Sequence, residues 1–249
     1  ASYIAKSYNF IFLPILLKSV KKIIICHKRY INYSPYLKDF AKKIEIIPPG
    51  VSLEIFKPRP REKNKEKIIS FLANLDEFHR YKGLEYLIKA MPLVKKEVPN
   101  VRLVVGGEGF LKEEYKRLAK FLDLDKQIDF VGVISKKKAA EFYNLCDVFV
   151  LPSVSFTQEG FGVVLLEAMA CGKPVVTTNI TGPADKIKET KAGRVVSPCD
   201  EKVLALAIIE ILRDESVAYD MGINALRLAR ECYDWRIIAG EISELYKRL

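Results

Sequence analysis

This sequence predicts an α/β fold, a doubly wound parallel sheet of the Rossmann-like kind. Three observations carry that expectation. From residue 67 onward, short apolar runs rich in β-formers alternate strictly with longer runs of helical period. A Gly-rich turn, Gly106, Gly107 and Gly109, follows one of the apolar runs directly. The tail from residue 201 to 249 then reads as three helices.

In order, residues 68–73 form a strand, and Leu84, Leu87, Ile88, Met91 and Val98 mark one face of a helix, kinked or split where Pro92 removes a donor. Strand 101–105, helix 111–122, strand 128–131, helix 136–145 and strand 148–151 follow. Helix 161–170 runs to Gly172, suited to a left-handed C-cap, and strand 175–178 comes after it. Right-handed crossovers place helices on both faces of such a sheet and ligands beyond the carboxyl ends of its strands. The loops after Val105, Val131 and Leu151 are therefore the expected site. Ahead of this body, residues 19–50 read as a small separate unit. It has a strand 22–26, a helix 34–43 and a strand 45–47 that runs into Pro48, Pro49 and Gly50. The charged stretch 57–67 reads as a linker.

The chain has 249 residues, 49% of them hydrophobic, with 13 Gly and 12 Pro, which excludes disordered, collagenous and coiled-coil classes. Its longest apolar stretch, residues 10–17, contains Pro14 and falls far short of the roughly 20 residues that span a bilayer. The opening residues lack the pattern of a secretory signal. Five widely spaced cysteines without a Cys-x-x-Cys pair fit a reducing, cytoplasmic setting. Charge is regional. Residues 1–68 hold 15 Lys/Arg against 5 Asp/Glu, and the remainder holds 26 of each. An anionic partner for the first segment is the implication: an anionic membrane surface at which the protein is peripheral, a lipid-phosphate substrate, or nucleic acid. Tyr3, Tyr8, Phe10 and Phe12 followed by Lys18, Lys21 and Lys22 suit the membrane; burial of residues 10–17 in a further domain is the competing expectation.

The chemistry concentrates in residues 150–174. Glu159 and Glu167 are separated by seven residues, with Gly160, Phe161 and Gly162 after the first. At ~1.5 Å per residue the two carboxylates stand ~12 Å apart along a helix. That matches the spacing of the hexose and the ribose in a nucleotide sugar, and the free amides of Gly160 to Val163 at the helix start suit the diphosphate between them.

This segment is similar to the signature of the retaining nucleotide-sugar glycosyltransferases of the GT-B fold, the group-1 family of mannosyl-, glucosyl- and N-acetylglucosaminyltransferases related to glycogen synthases. Other stretches resemble the family in the same order. Ile46 to Val51 with Phe56, Lys57 and Pro58 resembles its hinge, and Tyr81, Lys82, Gly83 and Leu84 its donor-phosphate lysine turn. Gly106, Gly107, Glu108 and Gly109 resemble its Gly-rich loop, Phe130, Val131 and Gly132 its base-binding loop, and Val150 to Ser153 the strand end before the Glu motif.

The resemblance implies that Glu167 accepts the ribose hydroxyls, Glu159 binds a sugar hydroxyl near the reacting carbon, and Lys82 stabilises the diphosphate leaving group. It assigns the amides of Gly160, Phe161, Gly162 and Val163, with Gly107 and Gly109, to phosphate and sugar, and Val131 with Gly132 to the base. The donor is a UDP-, GDP- or ADP-linked sugar and the acceptor a saccharide or a lipid-linked one. Transfer retains anomeric configuration, with no covalent nucleophile, no cofactor and no metal. The implied organisation is a C-terminal half of a GT-B fold: residues 1–50 a remnant of the acceptor domain with the hinge, 51–67 a linker, 68–230 the donor-binding domain, and 231–249, with Trp235 and Tyr246, a helix that crosses back.

Two departures stand out. Where the family carries a Gly-Arg pair on the diphosphate, this sequence has Ala73 and Asn74; Arg80 is the candidate substitute, and a solvated Arg80 is the competing expectation. Only about 50 residues precede the hinge, so the chain alone is expected to bind donor and to transfer poorly. Asp123 and Asp125 follow a helix, so they are expected to be turn residues without a metal, and His27 and His79 are expected to be structural. A nicotinamide fingerprint fails because Lys112 stands where its third glycine belongs. The competing classes are a noncatalytic sugar-nucleotide-binding domain and a basic nucleic-acid-binding module. The second lacks a recognition motif, so no nucleic-acid partner is expected.

Overall fold

The computed structural model describes residues 11–60 and 66–249. The early aromatic positions Tyr3, Tyr8 and Phe10 lie outside these residues, as does part of the stretch expected as a linker. The chain divides into two compact units, one of residues up to Pro49 with Arg236–Leu249, the other Gly50–Trp235.

The first unit holds helix α1 (Leu13–Ser19), strand β1 (Ile23–Ile25), helix α2 (Arg29–Tyr33) and strand β2 (Ile44–Ile46). β1 and β2 pair in parallel. The Lys43 ammonium donates to the carbonyls of Leu17, Lys18 and Val20 at 3.2, 2.6 and 2.8 Å, closing the C-terminus of α1. The helix expected over 34–43 is instead α2 plus a 3-10 turn, Lys38–Lys43. Pro35 is the reason: it pushes Ser34 into extended backbone, φ −84 and ψ 121, which ends α2.

The second unit is a six-stranded parallel sheet. Its strands are β3 (Lys67–Leu72), β4 (Val101–Gly106), β5 (Ile128–Gly132), β6 (Val148–Leu151), β7 (Val175–Thr178) and β8 (Gly193–Val196), in spatial order β5-β4-β3-β6-β7-β8. The chain starts at a central strand, builds outward to β5, then returns to the other side of β3. β3 and β6 therefore flank the switch point, where loops leave in opposite directions and open a crevice. The connecting helices are α3 (Leu84–Glu97), α4 (Lys112–Phe121), α5 (Lys136–Leu145), α6 (Val163–Ala170) and α7 (Ala184–Thr190), followed by α8 (Glu201–Arg213) and α9 (Glu215–Cys232). α8 packs on α3, while α9 packs on α6 and α7. Helix α10 (Trp235–Lys247) starts at the last residue of this unit.

The expected elements from residue 68 to 178 are present. Pro92 does not split α3, which runs unbroken for 14 residues. An interior proline costs ~3 kcal/mol, but this helix buries Leu84, Leu87, Ile88, Ala90, Met91 and Val94 completely, and each such side chain contributes ~1.5–3 kcal/mol. The helix expected from residue 161 starts at Val163, because Gly162 takes φ +90. Gly172, at φ +72, ends it in the left-handed conformation. The sequence reading missed α7 and β8. α7 has seven residues and buries only Ala184 and Ile187, and β8 is opened by a glycine, so neither shows a period.

Residues 51–60 do not behave as a free linker. Val51 is buried and brackets Asp234 through bonds from its amide to Tyr233 O and from Trp235 N to its carbonyl. The Asn144 side chain holds Lys57 O at 3.0 Å and Arg59 N at 2.9 Å.

Gly83 ends the turn before α3 at φ +79, and a Cβ there would lie 2.0 Å from Pro152 O. Gly83→Ala is expected to destabilise the protein by about 1–3 kcal/mol or more in urea unfolding. Gly240→Ala, in mid-helix with open space around it, is expected to stabilise it by about 0.5–1 kcal/mol.

Candidate functional site

The switch-point crevice is lined by the loops that leave β3 and β6, with those of β4 and β5 beside them. After β3 the chain is laced to the Gly-rich loop: Ala73 N donates to Gly106 O, Leu75 N to Glu108 O and Leu111 N back to Leu75 O. Gly107 and Gly109 have φ +128 and +152, and a Cβ on either would sit 1.8 and 2.2 Å from Ala73 O and Leu75 O. No other residue tolerates that approach. Gly107 N also donates to Gly132 O at 2.8 Å, joining the end of β5, where Val131 is exposed; Asn74, in the loop after β3, is exposed too.

Asp76 then caps a 3-10 turn, Glu77–Lys82, by accepting from His79 N and from the His79 ring, 2.7 Å away. That hydrogen bond holds the Asp76 carboxyl below its ordinary pKa. The turn is fixed to the β6 loop because Val154 N donates to Tyr81 O at 2.8 Å. Lys82 is thereby carried across the crevice. Its ammonium donates to both oxygens of Glu159, at 2.9 and 3.0 Å, and lies over the Tyr81 ring.

This ion pair is enclosed, with 16% of the Lys82 side chain and 1% of the Glu159 side chain exposed. Glu159 also accepts from the Ser153 hydroxyl, and Ser153, fully buried at the end of β6, has its carbonyl held by Thr178 Oγ1 at 2.6 Å. Enclosed charges are tolerated only when paired and hydrogen-bonded, and these are. After Glu159 the chain exposes Gly160, buries Phe161 against Gly182 and Tyr233, and turns at Gly162 into α6, with Val163 exposed. The first amides of α6 have no intrahelical acceptor, so they form a positive end that suits an anion.

Glu167, one turn into α6, is half-buried and accepts from the Tyr143 hydroxyl at 2.5 Å. Burial raises its carboxyl pKa, and the Tyr143 hydrogen bond offsets part of the rise. Arg80 does not join Lys82: its guanidinium is taken by Glu77 (3.1 and 3.0 Å) and by both oxygens of Glu114 (2.9 and 3.0 Å). Hydrogen bonds to Glu77, then Glu114, raise its pKa further. Ser153 and Tyr143 are the site residues for which sequence reasoning found no role. Their signal was absent, since a Ser at a strand end and a Tyr on a buried helix face are ordinary core residues. Among the described residues no cluster of three or more His, Cys, Asp or Glu is gathered as a metal would need.

At the switch point of this parallel sheet, Glu159 of the enclosed Lys82–Glu159 pair and the start of α6 lie close together in the chain that follows β6. The comparison with known proteins identifies the family. Residues 53–227 match the model of the family "Glycosyl transferases group 1", and the chain belongs to that family. It is 29% identical over 212 residues to the GDP-mannose-dependent alpha-(1-6)-phosphatidylinositol monomannoside mannosyltransferase of Mycolicibacterium smegmatis, covering 81% of this chain and 56% of the relative. Among solved structures, sucrose-phosphate synthase from Thermosynechococcus elongatus superimposes with a TM-score of 0.78 at 28% identity, over 94% of this chain and 60% of that one. Anabaena HepE in complex with UDP and glucose does so at 0.79 and 22%, over 92% and 64%, a likeness of fold. The sheet is that of GT-B C-terminal domains. The chain spans a little over half the length of these proteins. No described helix is long and apolar enough to cross a membrane.

The raised Glu167 pKa has a consequence for stability. In the unfolded chain the carboxyl titrates near the ordinary glutamate value, 4.5. Its contribution is therefore fully present below that pH and is lost as pH rises through the higher folded value. Glu167→Gln is expected to be more stable than the wild type at neutral pH, with the gap closing below about pH 4, as followed by thermal melts. A gap independent of pH contradicts the assignment.

Proposed function

We propose that this chain is the donor-binding half of a retaining hexosyltransferase. On this reading it takes a nucleotide-diphosphate sugar and passes the hexose to a saccharide or lipid-linked acceptor. The observation that carries the reading is the enclosed Lys82–Glu159 pair beside the start of α6, with Glu167 one turn into that helix. A diphosphate entering there would offer Lys82 a second anion, and the amides of Phe161, Gly162 and Val163 would complete its cradle. Glu159, relieved of one partner, would accept a hexose hydroxyl; Glu167 would accept the ribose hydroxyls; Val131 and Gly132 would border the base. Lys82 acts on charge that grows as the sugar–phosphate bond breaks, so its effect falls on the transition state. The leaving diphosphate takes the acceptor's proton, no protein nucleophile attacks, and no cofactor or metal enters. Arg80 would reach the phosphate only by leaving Glu77 and Glu114, so the reading gives that charge to Lys82.

The mannosyltransferase relative is named for GDP-mannose and the HepE structure for UDP with glucose; either base, or adenine, suits this site. The basic first 68 residues suit a lipid-phosphate acceptor at the cytoplasmic face of an anionic membrane. Acceptor contacts require residues beyond these two units, so the chain alone would bind donor and transfer little.

Calorimetry with UDP, GDP and ADP tests the reading. One nucleotide should bind, and Glu167→Ala should weaken it ~10–150-fold, the worth of charge-assisted hydrogen bonds. A folded sample that binds none of the three, or a Glu167→Ala variant with unchanged affinity, contradicts it. Lys82→Ala is a poorer probe because stranding Glu159 would cost about 3–5 kcal/mol of stability.

A further inference from the structure

One buried polar group has no part in the reading above: the hydroxyl of Tyr143. Tyr143 stands in the last turn of α5, and none of its surface is exposed. Its ring meets Phe56, Phe142 and Phe149 edge-on, with centroids 5.9, 5.8 and 5.3 Å away. Three aromatic neighbours leave the ring a single orientation, and its hydroxyl ends 2.5 Å from Glu167 Oε2. A tyrosine in an apolar cage normally spends its hydroxyl on a backbone carbonyl or water. Here it is spent on a carboxylate at the edge of the crevice.

We infer that Tyr143 is a positioning residue for nucleotide recognition: its hydroxyl fixes one oxygen of Glu167 so that the other meets the vicinal diol of a ribose. The inference rests on the proposed function and adds the group that organises its ribose contact. An ionised carboxyl accepts at about four lone-pair positions, and one hydrogen bond from a rigid donor leaves Oε1 and the remainder of Oε2 for two adjacent hydroxyls. Burial raises the Tyr143 pKa well above its ordinary value, so the phenol keeps its proton and can donate it to Glu167. The same bond opposes the rise that burial causes in Glu167. The other titratable groups around the pair are Cys146 and Cys171, with Lys173 and Arg59 beyond them beside Cys171; none of these supplies a rigid donor to the carboxyl.

The test uses calorimetry with GDP and 2′,3′-dideoxy-GDP, and with UDP and 2′,3′-dideoxy-UDP, on the wild type, Tyr143→Phe, Glu167→Ala and the double variant. Phenylalanine keeps the ring and its three contacts. The wild type should favour the ribose form of one nucleotide by ~10–150-fold, and Tyr143→Phe should reduce that preference by ~3–10-fold while leaving affinity for the dideoxy form unchanged. Its ribose binding should also fail at a higher pH than in the wild type, because Glu167 loses the hydrogen bond that favours its charged form. In the Glu167→Ala background the tyrosine change should have no further effect on the preference. Equal loss of both forms in Tyr143→Phe would show a structural role and overturn the inference, as would an unchanged preference and pH profile. If Glu167→Ala also keeps the preference, or if neither of these pairs nor ADP with its 2′,3′-dideoxy form binds, the ribose reading falls and the inference falls with it.

Discussion

The ion pair between Lys82 and Glu159 is the constraint on which the rest of the site depends. It joins the loop after β3 to the loop after β6, the two strands at which the winding of the parallel sheet reverses. Either charge alone in that enclosed position would cost several kcal/mol. Together, and with Ser153 on the carboxylate, they are satisfied. A second anion in the crevice would share Lys82 without stranding it, and the released capacity of Glu159 would become available to a hydroxyl. On the proposed function, the two groups that must meet the phosphate and the sugar are thus each other's partners.

That pair can form only because the backbone around it is held closely. Gly83 presses against Pro152 O, and Gly107 and Gly109 press against the carbonyls of Ala73 and Leu75. Three loops from different strands become one surface through these contacts and the amide bonds that run beside them. β6 and β7 are fully buried on both faces, which fixes the strand ends from which the loops depart. Packing therefore sets the position of Ser153, Ser153 and Lys82 set the position of Glu159, and the start of α6 follows three residues later at Gly162.

Much of this was legible in the sequence. Alternation gave the sheet and its helices from β3 to β7, because each strand is a short apolar run and each helix carries a periodic face. That Glu159 precedes and Glu167 lies within one helix with a glycine at its start was legible because spacing along a helix is local. Contacts between distant segments were not. Nothing in the neighbourhood of Arg80 announces Glu114, and its two carboxylates give it an occupation other than the one expected from its nearness to Lys82. Nothing near Tyr143 announces Glu167, because a tyrosine on a buried helix face reads as core. The stretch after Gly50 read as linker from its charge and prolines, yet Val51, Phe56 and the backbone at Lys57 and Arg59 are bonded and packed within the second unit. β8 and α7 escaped because short elements carry too few residues to show a period.

The most direct test of the central claim, that the β3–β6 crevice takes a nucleoside diphosphate on Lys82 and the start of α6, is a crystal structure of this chain grown with the nucleotide it binds. The account predicts the diphosphate at the amides of Phe161 to Val163, the Lys82 ammonium shared between phosphate and Glu159, and the ribose hydroxyls on Glu167. A nucleotide bound elsewhere on the chain, or one in this crevice with Lys82 still committed wholly to Glu159, would contradict it.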